Sequence, residues 1–153
     1  MRSTHKLSVF MFFSAVMLSS LISGCSINKA TAKLTPGENL DKINKIYVVH
    51  LTPDKRYVNK LIATKLESMG YEAPTGPKSE IPANVDAIAT YRDKWYWDMT
   101  NFMMELTITL RDPVDQYPIA EGYSMHTSFT RKSPKEMVDE VVTNIFKQKD
   151  NAQ

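Results

Sequence analysis

Residues 85–111 carry two alternating runs that change phase once, and no other feature constrains the fold as tightly. Val85, Ala87, Ala89, Tyr91, Trp95 and Trp97 are apolar at odd positions, with Asp86, Thr90, Arg92, Lys94 and Asp98 between them. From Phe102 the apolar set moves to even positions: Phe102, Met104, Leu106, Ile108 and Leu110, against Glu105, Thr107, Thr109 and Arg111. A period of two belongs to strands, because successive side chains point to opposite faces; an amphipathic helix needs 3.6. Folding the runs back about Met99-Thr100 sets Trp97 opposite Phe102, Trp95 opposite Met104 and Tyr91 opposite Ile108, all on one face and with no bulge. The parity predicts a long antiparallel hairpin.

The flanking segments supply the rest of a domain. Ile46-Tyr-Val-Val-His-Leu51 is a β-branched run that reads as a strand. A helix is expected from Lys55 or Arg56 to Met69, with Val58, Leu61, Ile62, Leu66 and Met69 as its apolar stripe and Gly70 at its stop. Tyr71–Ala73 reads as a short strand, Pro74–Pro82 as a loop, Asp112–Pro118 as a turn and Ile119–Phe129 as a further strand whose core face the pattern leaves open. Ser133-Pro134-Lys135-Glu136 is a capping box with proline at the first helical position. Met137, Val138, Val141, Val142, Ile145 and Phe146 then mark a second helix. The expected fold is α+β in the order β-α-β-β-β-β-α, a mixed sheet with two helices on one face. This order is similar to that of small periplasmic α/β accessory modules, such as the N-terminal domain of the Tol-system propeller protein and the outer-membrane lipoproteins that activate cell-wall synthases.

The N-terminus points to export. Arg2 and Lys6 precede an apolar stretch, interrupted only by serines, from Leu7 to Ile22. Its 16 residues fall short of the roughly 20 that a spanning helix needs, so it reads as the core of a signal peptide. Leu21-Ile22-Ser23-Gly24-Cys25 follows and resembles the lipobox of bacterial lipoproteins. The resemblance implies cleavage between Gly24 and Cys25, and lipidation of Cys25 by a thioether diacylglycerol and an N-terminal acyl chain. Several chains on one residue hold firmly, at about 0.8 kcal/mol per buried methylene. By the family's sorting logic, Ser26 in place of an aspartate directs the protein to the outer membrane, with the domain in the periplasm. Cys25 is the one cysteine, so no disulfide framework exists. The expected division is 1–24 signal peptide, 25–40 lipidated cysteine and flexible tether, 41–146 a single α+β domain, and 147–153 a disordered polar tail.

Composition narrows the function. Arg2 and Lys6 account for the whole formal excess of +2, so the remainder is neutral and lacks the positive footprint that nucleic acid requires. Five glycines, no Walker loop and no dinucleotide fingerprint leave no reason to expect a cofactor. No serine sits in a Gly-x-Ser-x-Gly elbow. His50 and His126 lie on different strands without clustered acids or cysteines, a weak basis for a metal site.

The candidate binding residues are Asp93, Trp95, Tyr96, Trp97, Asp98 and Phe102. The stretch Tyr91–Asp98, which holds five of them, contains both tryptophans and a dense set of charges. A helix of about 13 residues spans about 20 Å, a distance a strand covers in about six residues, whereas the hairpin arms run to about 10 to 14. The tip should therefore pass beyond the helical cover and expose these aromatics to a partner, unless loops or a curled sheet bury them. Alternation puts Asp93 and Asp98 on opposite faces, which speaks against a two-carboxylate catalytic pair. No catalytic residue is assigned. The expected function is a non-catalytic, lipid-anchored envelope adaptor or accessory subunit with a protein-binding surface. The alternative is a glycan- or lipid-binding lipoprotein using Trp95 and Trp97. A hydrolase is a third reading, and it requires Asp93 or Asp98 within hydrogen-bond distance of His50 or His126.

Overall fold

A computed structural model describes residues 28–151; the expected signal peptide, the lipobox-like segment and Cys25 lie outside them. The strands are β1 (Lys29–Leu34), β2 (Ile46–Val49), β3 (Thr75–Gly76), β4 (Ala87–Asp98), β5 (Thr100–Arg111) and β6 (Pro118–Met125). The helices are α1 (Val58–Ser68) and α2 (Pro134–Asn151). One sheet runs in the order β1-β6-β5-β4-β2-β3. β2 is parallel to β3 and β4, and the other pairs are antiparallel. The fold is thus the expected α+β class, a mixed sheet with two helices, with one strand added at its start.

That added strand corrects the tether. Residues 29–34 pair in full register with β6, from Lys29 opposite Met125 to Leu34 opposite Ala120. Leu40, expected at the end of a flexible segment, is fully buried in the core. The polar composition concealed an edge strand, which needs only one apolar face: Ala32 and Leu34 pack on the core while Lys29, Thr31 and Lys33 turn outward. The C-terminal tail is corrected likewise. α2 continues to Asn151, with Lys149 3.1 Å from Asp41 and the Phe146 ring 4.6 Å from that of Tyr71.

α1 begins at Val58, the first residue of its stripe, rather than at Lys55 or Arg56. The Asp54 carboxylate accepts the N–H groups of Arg56 and Val58, both at 2.7 Å, and the Tyr91 hydroxyl at 2.6 Å. This winds residues 54–57 into a turn with Tyr57 at φ 56°, and the helix starts only beyond it. Burial pushes the Asp54 carboxyl up, but these hydrogen bonds outweigh it and hold the group below its ordinary value. Gly70 ends α1 at φ 93°, where a side chain would be strained. At α2 the capping box forms as written: Glu136 accepts the Ser133 N–H at 2.8 Å, and Ser133 Oγ accepts the Glu136 N–H at 3.3 Å.

The core lies between the helices and one sheet face. Val58, Ile62 and Leu66 of α1 and Met137, Val138, Val141, Val142, Ile145 and Phe146 of α2 meet Ala87, Ala89, Tyr91, Met103, Leu106, Ile108 and Leu110. β6 supplies its even residues to this side. A Cβ on Gly122 would come within 2.8 Å of both Val141 and Ile145, so the missing side chain is what lets α2 settle on the strand. β6 stops at Met125 rather than Phe129, which lies in a short 3-10 turn at Ser128–Thr130. The strand expected at Tyr71–Ala73 is reduced to a parallel bridge between Glu72 and Lys45, and the loop expected over 74–82 contains β3.

Candidate functional site

The hairpin forms, but its outer half is offset from the parity expectation. Tyr91 stands opposite Ile108 and Lys94 opposite Glu105 as counted. Beyond them the register shifts, so that Trp95 faces Met103, Tyr96 faces Phe102 and Trp97 faces Asn101. The turn is one residue tighter than expected, with Met99 alone at φ 58° between the paired Asp98 and Thr100. Met104 is the residue left over as a bulge, and it restores the inner register. Counting parity cannot separate a two-residue turn from a one-residue turn compensated by a bulge. Met103, not Met104, is therefore the fully buried residue.

The two tryptophans separate. Trp95 is half-buried at the core margin, with the Arg56 guanidinium 4.1 Å from its ring centroid and its indole N–H donated to Asp93. That hydrogen bond accounts for a carboxylate on the apolar side of the strand. Trp97 is 70% exposed, Tyr96 56% and Met99 88%. Phe102 is buried, with Tyr96 edge-on and Arg131 stacked over its ring at 4.7 Å. Asp98 pairs with Arg131 at 3.6 Å. Of the six candidates, the structure brings Tyr96, Trp97, Asp98 and Phe102 together at the tip, and holds Asp93 and Trp95 one step inward.

Arg131 and Phe129 escaped the sequence reading. Arg131 donates to Thr100 Oγ1 at 2.9 Å and to the Ser128 carbonyl at 3.0 Å, tying the loop after β6 to the hairpin tip. This places Phe129, 98% exposed, in the loop that Arg131 fastens to that end of the sheet. Alternation places Phe129 in a strand, and nothing in its spacing signals a turn.

Neither Asp93 nor Asp98 meets a histidine. His50 lies 3.1 Å from the Asp54 carbonyl oxygen. His126 Nε2 lies 2.8 Å from Glu140 Oε2, the same oxygen that accepts Ser124 Oγ at 2.6 Å. Lys132 holds the other oxygen at 2.5 Å. Burial pushes the Glu140 carboxyl up, but hydrogen bonds from Lys132, Ser124 and His126 outweigh it and bring its pKa down to about 2. Serine and histidine both bind the carboxylate rather than each other, and Ser124 is fully buried, so the geometry is not that of a nucleophile relay. The cluster clamps the end of β6 to α2. Among the described residues no three His, Cys, Asp or Glu side chains are grouped to hold a metal ion.

On the other sheet face Ile81 and Val85 cover Tyr47, Val49 and Ile88 at the β2–β4 end, and towards β1 no helix among the described residues lies over it. Lys33 pairs with Glu121 at 3.3 Å and Lys94 with Glu105 at 3.0 Å, while Lys29 lies over the Tyr123 ring. Lys29, Lys33, Glu105, Glu121 and Tyr123 line, with Arg92 and Thr107, a shallow concavity of about 430 Å³, and Lys94 borders a smaller hollow beside it. Among the described residues no carboxylate comes within ion-pair distance of Arg92.

No family model matches the chain, and no curated protein does. Solved structures do. The chain is similar to two crystal structures of the PelC dodecamer from Paraburkholderia phytofirmans. One, a single-substitution variant, has a TM-score of 0.57 at 14% identity, covering 78% of this chain and 97% of that one. The other has a TM-score of 0.55 at 12% identity, covering 78% and 95%. At such identities the likeness is one of fold. A TolB structure from Acinetobacter baumannii reaches a TM-score of only 0.44 at 15% identity, over 78% of this chain and 32% of that one, and carries no argument.

Proposed function

We propose that this protein is a lipid-anchored envelope adaptor, held at the outer membrane through Cys25, that engages a protein partner on the uncovered face of its sheet. The observation that carries the reading is the charge arrangement on that face. Lys33 and Lys94 are already paired, whereas Arg92 has no carboxylate within ion-pair distance among the described residues. Arginine is the cation favoured at interfaces, since its planar fork binds carboxylates bidentately. A partner presenting an acidic segment would complete the set. The similar solved structures are of a dodecamer, so the fold occurs in a protein that assembles.

Photocrosslinking in living cells tests this, with the probe at Thr107 or Tyr123. A discrete protein adduct that disappears in Arg92→Glu is the expected result. Absence of adducts across the face would refute the adaptor surface. The alternative, a glycan- or lipid-binding role for the tryptophans, is favoured at one residue by the exposure of Trp97, while Trp95 is covered by Arg56.

A further inference from the structure

The segment just after Cys25 leads to a specific end of the domain. Asn28 accepts a hydrogen bond from Thr130 Oγ1, and Lys29 then enters β1 opposite Met125. Thr130 lies between Phe129 and Arg131, and Arg131 is bound to Asp98 and Thr100 of the hairpin tip. Asn28, the 3-10 turn and the tip therefore form one connected end. That end carries Tyr96, Trp97, Met99 and Phe129, four of the eight large apolar side chains exposed among the described residues.

Cys25 precedes Asn28 by three residues, and three fully extended residues reach about 10 Å. A lipidated Cys25 thus cannot hold the domain at a distance. It must bring this end, and no other, against the bilayer. Trp and Tyr concentrate where lipid headgroups meet the acyl region, because their rings are apolar with one polar edge.

We infer that the hairpin tip and Phe129 form a membrane-contacting end that seats the domain on the phospholipid surface, leaving the uncovered sheet face upright and accessible. The inference rests on the Cys25 anchor of the proposed function and commits to lipid as the occupant of the tip. Seating works with the acyl chains rather than replacing them: the anchor limits distance, and the exposed side chains set orientation.

The test uses the protein as purified from the membranes of the cells that express it, reconstituted into vesicles of zwitterionic and anionic phospholipid, a share of it brominated on the acyl chains near the headgroup. Trp95→Phe leaves Trp97 as the reporter, and Trp97→Phe leaves Trp95. Trp97 should lose roughly half of its fluorescence to the brominated lipid, and Trp95, covered by Arg56, much less. Equal and weak quenching of both, with acyl mass on Cys25 and the protein floating with the vesicles, overturns the seating alone. Missing acyl mass with loss of flotation overturns the anchor and the seating together. A photoreactive probe at Met99 gives a check independent of the tryptophan variants. Lipid adducts support the seating, and a discrete protein adduct overturns it.

Discussion

At its base the β4–β5 hairpin is buried on both faces. Ala87 and Ala89 lie under the helices, and Ile88 joins Tyr47, Val49 and Val85 on the other side. At its tip Tyr96, Trp97 and Met99 have equal apolar character and face solvent. The difference is one of cover. α1 rises about 16 Å along its axis, whereas a strand of this length extends about 40 Å. Alternation says which residues share a face, and the length of the overlying helix says how far along the strand that face stays dry.

Substitutions along the hairpin should therefore graduate from folding to function. Leu106→Ala, at a fully buried position, is expected to cost about 3 to 5 kcal/mol, read as a lower urea midpoint with unchanged slope. A cost under about 1 kcal/mol would mean that the base is no better packed than the tip.

Glu140→Gln comes next, because it removes the charge that holds Ser124, His126 and Lys132. The folded pKa of about 2 lies below the ordinary 4.5, so the carboxylate stabilises the fold fully above about 4.5. The contribution fades as pH falls from there toward 2, and is at most about 3 kcal/mol for a group this sheltered. The stability gap between wild type and variant, measured by urea unfolding across this range, should narrow with acidification. A gap that stays constant with pH would contradict the clamp.

Tyr91→Phe leaves Asp54 with its backbone partners only. It should destabilise by about 1 to 2 kcal/mol, seen as a fall in thermal midpoint. Trp97→Ala is the smallest in stability, within about 0.5 kcal/mol of wild type, since the side chain is largely exposed. Its effect should appear instead in bilayer contact, measured by the lipid accessibility of a probe at Met99. A large loss of stability there would place Trp97 with the base residues after all.

The pattern of residues 85–111 made the hairpin legible, down to the inner pair Tyr91–Ile108. It did not show the bulge at Met104, because a one-residue turn plus a bulge preserves the parity of the inner strand. The capping box of α2 was legible because both partners are three residues apart. The Asp54 cap was not, because its third partner, Tyr91, lies on a distant strand. Of the candidate site, strand length placed both tryptophans near the tip but did not separate exposed Trp97 from half-buried Trp95, and nothing near them in sequence announced Phe129 or Arg131.

What the sequence determined by itself is what short-range periodicity encodes: the strand alternation, both amphipathic stripes, the stop at Gly70 and the α+β class. What only the tertiary structure decided is every feature that depends on residues far apart in the chain. β1 is a strand because β6 offers it a partner roughly ninety residues away, since an edge strand of polar composition has no local reason to extend. The bringing together of Asn28, Thr130, Arg131 and Asp98 at one end follows from that pairing, and no local pattern records it.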